Sequence, residues 1–386
     1  MTARTSRITG LDGLRGIAAL IVLLFHASLL ARPFLDDAAW AVLTRTPVKL
    51  LFAGSEAVLV FFVLSGLVVA LPALRGRLSW WRYYPSRLLR LYLPVAAALL
   101  LAAALILLLP RDPAAVPAGS WMRNAQSVTA TPGELLSEAS LLQASYDIDN
   151  VLWSLRWELF FSLLLPVFVW IGLRTRRAAL LTAGGAVVLT LIGRVVGIEA
   201  LVYLPTFLLG VLVAANLDSI RAAAARPRVR RWLAPAFVAS CALLIASWLA
   251  RPVAAAGSVP SHVLWALSGA GAAGLVVLAV VWAPAVRALD RAPVQWLGRI
   301  SFSLYLVHAP LLGTLGYALG RDLWWLACLL GVPLSIAVAA LFHRLVERPS
   351  HRLARATGAW CAGRADAVGG RLGGLSARAR GGADAG

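Results

Sequence analysis

Lysine is almost missing from this chain. Lys49 is the sole example, so the excess of 36 Lys+Arg over 17 Asp+Glu, a formal charge of +19, is an arginine excess. Cysteine is nearly as scarce. Cys241 and Cys328 fall in apolar stretches and Cys361 in the C-terminal tail, with no Cys-x-x-Cys spacing and no His/Cys cluster. That pattern excludes a disulfide framework and a structural zinc site, and no metal is expected. No Gly-x-Gly-x-x-Gly or Walker spacing follows a strand-like run, so no nucleotide-binding fold is indicated. Charge itself is thin, at 14% of residues. What fills the chain is hydrocarbon: 60% of residues are apolar and 15 are tryptophan, the composition of a polytopic membrane protein.

Apolar runs long enough to cross a bilayer lie near 14–31, 48–71, 87–109, 152–173 and 178–197, and again near 200–217, 232–250, 262–284, 300–319 and 323–343. Ten helices with both termini on one side is the simplest count, giving an all-α polytopic membrane helix bundle. The first run lacks a small-residue cleavage site and reads as a retained helix. Arginine placement tests the orientation. With the N-terminus inside, the inner segments hold 24 basic residues, including Arg4, Arg7 and eight arginines from Arg344 to Arg380, and the outer segments hold 7. The positive-inside rule therefore favours cytoplasmic N- and C-termini, in a multi-pass protein of the cytoplasmic (inner) membrane. Basic charge spread over several loops and a tail is topological and does not point to nucleic acid.

The longest outer segment, about 110–151, carries Glu134, Glu138, Tyr146, Asp147, Asp149 and Asn150, with a short interfacial helix expected over Leu135–Leu142. Loops of this length are often functional, and this one is placed to cover a site opening outward. The expected organisation is one membrane domain over 8–350 and a basic tail over 351–386. The tail has no periodic apolar face and reads as disordered, resting on anionic lipid.

Polar residues inside these runs carry the chemistry. Arg15 and His26 are eleven residues apart, almost three helical turns, which sets them about 16 Å apart along the axis on one face. An imidazole near the bilayer centre is costly unless it faces a polar interior, which makes it a functional candidate. The alternative is that Arg15 snorkels to headgroups and His26 is a packing residue. Arg87 and Arg90 are i, i+3 neighbours whose guanidinium forks suit phosphate or carboxylate, or else anchor to headgroups. Ser154, Glu158 and Ser162 form an i, i+4, i+8 stripe. Glu158 needs a partner there, either a structural one on another span or His26, while Arg156 points elsewhere. Ser301, Tyr305 and His308 share a face of the ninth run, so two helices each supply an imidazole. Glu56 is a further buried acid. His262, His343 and His351 lie at span ends, where interfacial roles are expected.

Taken in order, these stretches resemble the acyltransferase 3 family of integral membrane acyltransferases over about residues 8–350. The resemblance is carried by the Arg15-x10-His26 pairing, Phe61-Phe-Val-Leu-Ser65-Gly66, Arg87-x-x-Arg90 and Trp153-Ser-Leu-x-x-Glu158. It continues in Phe207-Leu-Leu-Gly210, Ser303-Leu-Tyr305-Leu-x-His308-x-Pro310 and Val-Glu347-Arg-Pro349. The chain departs from the family pattern at Ala57-Val58-Leu59, where Gly-Val-Asp is common, and at Leu67, where an aromatic is common.

The resemblance implies transfer of an acyl group, commonly acetyl, from cytoplasmic acyl-CoA to a hydroxyl of a saccharide or glycosylated acceptor. Acyl-CoA is then a co-substrate, and no cofactor is bound permanently. Coenzyme A is polyanionic, so Arg15, Arg87 and Arg90 are the expected donor-binding residues. His26 is the expected general base or acyl-carrying nucleophile. Glu158 is expected to orient His26 or bind acceptor hydroxyls, and Ser154, Tyr305 and His308 are oxyanion or acceptor candidates. A proton-coupled transporter or flippase of a lipid-linked glycan is the alternative, since many helices with buried His and Glu also describe such carriers, although no internal repeat supports it.

Overall fold

Where no water is at hand, a backbone must satisfy its own polar groups, and a helix does so within one segment. The computed structural model describes residues 8–142 and 144–381, and every regular element among them is helical. Arg4 and Arg7 of the charge argument lie outside the described residues. The principal helices are α1 (Thr9–Ala31), α2 (Gly54–Leu74), α3 (Trp80–Leu108), α4 (Leu152–Leu163), α5 (Leu165–Arg174) and α6 (Ala179–Val196). They continue as α7 (Glu199–Ala215), α8 (Leu217–Ala224), α9 (Leu233–Leu249), α10 (Val259–Val281), α11 (Ala292–Leu319), α12 (Trp324–Phe342) and α13 (Arg348–Gly381).

All ten apolar runs become helix, but the count of spans changes. Among the described residues seven helices are long and apolar enough to cross a membrane, or nine if α4–α5 and α7–α8, bent by 65° and 67°, are each one span. Helix α9, with 17 residues, is apolar but shorter than any of those seven. The α4–α5 bend has a visible cause. Leu164 leaves the helical run just before Pro166, and the carbonyls of Ser162 and Leu163 take hydroxyl bonds from Tyr83 and Tyr84 of α3 at 3.3 and 3.2 Å. Such substitution is what lets a helix break at membrane depth.

Two other expectations are corrected. The run at 48–71 divides, because Pro47–Phe52 forms a 3-10 turn before α2. Lys49 is the reason: its ammonium donates to the Phe52 carbonyl at 2.8 Å, stands 4.1 Å over the Trp248 ring and lies 3.9 Å from Glu56. The tail from 351 was expected to be disordered. Instead α12 passes through a π turn at His343–Glu347 into α13, which packs on α3. Ala354 is fully buried, and a Cβ on Gly358 would collide with the Arg82 carbonyl. Small residues at i, i+4 dock by close approach, which leaves no hydropathy signal to read.

Close approach also sets the two central helix pairs. Gly66 and Gly210 bring the α2 and α7 backbones into contact, each where a Cβ would strike the other helix. Gly16 does the same against Gly298, fixing α1 beside α11. These two helices run parallel: Gly16 meets Gly298 and, ten residues on in each chain segment, His26 meets His308. Register at one end therefore delivers both imidazoles to the same level.

At the far end the 110–151 segment folds down onto α1 and α11. Its helix runs Pro132–Ser140, three residues earlier than expected, because Thr131 and Glu134 close a capping box. Those Thr131 bonds hold the Glu134 carboxyl below its ordinary range. Leu141, at φ 56°, ends the helix and is fully buried. Arg111 donates to Thr314 at 3.0 Å, the Ser127 N–H donates to the Asp147 carbonyl at 2.7 Å, and Glu138 accepts the N–H groups of Ile148 and Asp149 at 2.8 and 3.1 Å.

Candidate active site

The N-terminal ends of α1, α3 and α11 converge with the α12–α13 junction at one end of the bundle, and between them lies a cavity of about 790 Å³. Its charged lining is Arg15, Arg77, Arg82, Arg87, Arg90 and Arg299 set against Asp12, Glu158 and Glu347. Six guanidiniums face three carboxylates, so with neutral imidazoles the lining is positive. Among the described residues only Arg87 of these six has a carboxylate within salt-bridge distance. A low-dielectric funnel of one sign concentrates anions.

Arg87 is the hub of one wall. It pairs with Glu158 at 2.5 Å and donates to Ser162 Oγ at 3.0 Å and Ser65 Oγ at 3.3 Å, and Ser65 also donates to Glu158 at 3.2 Å. This ties α2, α3 and α4 together. Glu158 thus has a guanidinium partner, not an imidazole; the expectation that it orients His26 is corrected, because Arg87 and Ser65 hold its carboxylate at the cavity wall. Arg156, as expected, points elsewhere: it reaches Glu199 at 3.6 Å and lies over the Trp157 ring.

The opposite wall was not read from the sequence. His343, Glu347 and His351 line the cavity rather than the headgroup zone. Glu347 accepts from Ser303 at 2.5 Å and stands 2.9 Å from His343 Nδ1 and 3.9 Å from His351 Nε2. Their i, i+4, i+8 spacing was available as a signal, and the π turn that carries His343 and Glu347 is a feature common at functional sites. Arg77, Arg82 and Arg299 were counted as topological charge, yet they face the same space.

The floor is a pair of hydroxyls. Ser154 Oγ and Tyr305 Oη are 2.6 Å apart, and the Val151 carbonyl lies 3.1 and 3.3 Å from them. One hydroxyl donates to the other, and the second donates to the carbonyl. Phe61, 5.7 Å from Tyr305 between ring centroids, and Phe302 make the surrounding surface apolar.

His26 and His308 stand beyond this floor and do not line the cavity. His308 Nε2 is 3.1 Å from His26 Nδ1, and the two rings are 4.9 Å apart. Each Nδ1 also faces a carbonyl of its own helix, Leu304 at 2.9 Å and Val22 at 3.0 Å. Carbonyls only accept, so both Nδ1 atoms carry protons, and His308 Nε2 accepts a shared bond from His26. That leaves His26 Nε2 as the basic lone pair of the couple. His308 is fully buried, whereas His26 keeps 8% of its surface, beside the Trp121 ring of the 110–151 segment at 5.1 Å. The sequence-expected residues therefore fall into two groups. Arg15, Arg87, Arg90, Glu158, Ser154 and Tyr305 share the cavity, and His26 and His308 share a buried couple one helical turn past Tyr305.

A family model described as an acyltransferase domain, that of acyltransferase 3, matches residues 8–344. The chain belongs to the acyltransferase 3 family. A stretch of 27 residues is 74% identical to the O-acetyltransferase PaAT-1 of Phomopsis amygdali, covering 7% of this chain and 5% of that protein, so the likeness spans a small part of its length. No solved structure matches. The family and the apolar helices make this a multi-pass membrane protein, and the hydroxyl floor, the imidazole couple and the cavity lining other than Glu347 and His351 lie within the matched segment.

Proposed function

We propose that the protein moves an acyl group, acetyl in the first instance, from acyl-CoA to a hydroxyl of a carbohydrate or glycosylated acceptor. In this reading it spans the inner membrane about ten times, with α9 and the two bent pairs counted as spans and both termini in the cytoplasm. The observation that carries the proposal is the cavity: six arginines line it together with a pair of hydroxyls and the Phe61 and Phe302 rings. Guanidiniums at the mouth suit the phosphates of coenzyme A, and an apolar throat suits a short acyl chain.

The roles follow from chemistry. Arg15, Arg77, Arg82, Arg90 and Arg299 hold the donor's phosphates. Arg87, already neutralised by Glu158, keeps α2, α3 and α4 in place around the thioester. Ser154 and Tyr305 donate to the oxygen of the thioester carbonyl as it gains negative charge. His26 Nε2 takes the proton of the acceptor hydroxyl, and His308 fixes the His26 ring through Nδ1. The new ester C–O bond forms as the C–S bond breaks, and the departing thiolate takes up a proton to leave as free coenzyme A. Because the Ser154–Tyr305 pair separates the cavity from the imidazoles, that pair has to part for acyl carbon and acceptor oxygen to meet.

The test is turnover. Purified protein given labelled acetyl-CoA and a saccharide acceptor should transfer label to the acceptor. Label that stays on the donor, together with counterflow of unmodified glycan, would favour the carrier reading instead.

A further inference from the structure

Beneath the 110–151 segment the structure buries three polar side chains that are short of partners among the described residues. The side-chain oxygen and nitrogen of Gln126 and the Tyr146 hydroxyl have no hydrogen-bond partner there, and the Asp149 carboxylate has none beyond the facing Val151 N–H. These residues keep 2%, 4% and 0% of their surface. Orphaned polar atoms at such depth are rare in native proteins, and stability alone does not account for three in one segment.

Their position gives them a meaning. The segment's two arms run side by side, the Ser127 N–H meeting the Asp147 carbonyl, which sets Gln126 near Tyr146 and Asp149 along the backbone. Asp149 is two residues before Val151, whose carbonyl is bonded by the Ser154–Tyr305 pair. The next residue, Asn150, takes the Trp121 indole N–H at 3.4 Å, and that indole stands beside His26. Gln126 presses against Gly313 of α11, about 7.5 Å along the axis past His308. Burial and the neighbouring Glu138 carboxylate push the Asp149 carboxyl well above its ordinary range, against the pull of the Val151 N–H. Asp149 therefore keeps a proton to higher pH than a free carboxyl and can donate as well as accept.

We propose that Asp149, Gln126 and Tyr146 bind the acceptor, a polyhydroxylated molecule, beneath this segment, on the far side of the Ser154–Tyr305 pair from the arginine-lined cavity. Groups that both donate and accept match hydroxyls, which do the same, and no net charge is needed. The inference rests on the acyl-transfer reading and adds to it where the acceptor sits and what chemistry holds it. Donor and acceptor then approach the hydroxyl floor from opposite ends of the bundle, and the segment has to lift to admit the acceptor.

The full chain in detergent, with labelled acetyl-CoA as donor and methyl glucoside, methyl galactoside and glycerol in turn as acceptors, tests this. Tyr146→Phe and Gln126→Ala are expected to raise acceptor KM about tenfold each, the size of one lost hydrogen bond to a bound hydroxyl, with acetyl-CoA affinity unchanged. Tyr146→Phe is expected to leave the melting temperature unlowered, since the buried hydroxyl has no hydrogen-bond partner to lose among the described residues. An unchanged acceptor KM overturns the proposal, as does a matching fall in acetyl-CoA affinity or a drop in melting temperature, either of which assigns Tyr146 a structural task. Wild-type protein that binds acetyl-CoA but acylates none of the three polyols overturns the proposed acceptor class. Wild-type protein that does not bind acetyl-CoA at all removes the acyl-transfer reading itself.

Discussion

At one end of this bundle six arginines line an open cavity and are only half balanced by carboxylates; at the other a folded segment buries three polar side chains that are short of partners among the described residues. The first arrangement attracts any anion and is weakened by salt, because its charges face solvent. The second is neutral, dry and geometrically demanding, so it discriminates rather than attracts. Placing attraction and discrimination at opposite ends suits a protein handling two unlike substrates, one a common charged carrier and the other a specific alcohol. Between them the Ser154–Tyr305 pair and the imidazole couple belong to neither end.

That contrast can be broken experimentally. The largest effect is expected at the centre: His26→Ala should lower turnover about 10²–10⁴-fold, the span of a lost general base, while acetyl-CoA affinity stays put. A comparable loss of donor affinity would show that the couple belongs to the cavity end after all. Next in size, Glu158→Ala strips Arg87 of its counter-charge inside the bundle. Since these side chains keep about a fifth of their surface, a destabilisation of about 1–3 kcal/mol is expected in denaturant titration. The double variant with Arg87→Ala should cost less than the two single changes added together.

Smaller still, Arg90→Ala should raise the Kd for acetyl-CoA about tenfold at low ionic strength and by less in high salt, because one phosphate contact in a partly solvated funnel is screened. A salt-independent change would mean that Arg90 packs rather than binds. The mildest effect belongs to the far end. Glu138 and Asp149 both titrate above their free values, so the folded chain holds protons that the unfolded chain has lost. Stability should therefore fall as pH rises above about 4 and through the raised values, and Asp149→Asn should flatten that slope in thermal melts. A slope of opposite sign would mean that the two carboxyls are held ionised.

The helices themselves were legible in the sequence because each satisfies its own backbone and advertises itself by a long apolar run. Residues that carry charge at regular spacing, such as Arg87, Arg90 and the Ser154–Glu158–Ser162 stripe, were legible as a site for the same reason. Partners across helices were not. Glu158 had two open partners on paper, and only the packing of α4 against α3 gave it to Arg87 rather than His26. His343 and His351 looked interfacial until α13, continuing α12, packed along α3 on small residues that hydropathy does not register.

The chain alone thus determined that it is a helical membrane protein, where its helices lie, and which polar groups sit within them, because solvation by lipid is a local, one-dimensional constraint. The tertiary structure decided everything that depends on register. The parallel contact of Gly16 with Gly298 set two imidazoles 3.1 Å apart, and the fold of the 110–151 segment buried Asp149 with no partner but the Val151 N–H among the described residues. Distances between helices are fixed by packing of whole faces, which no single run of residues encodes.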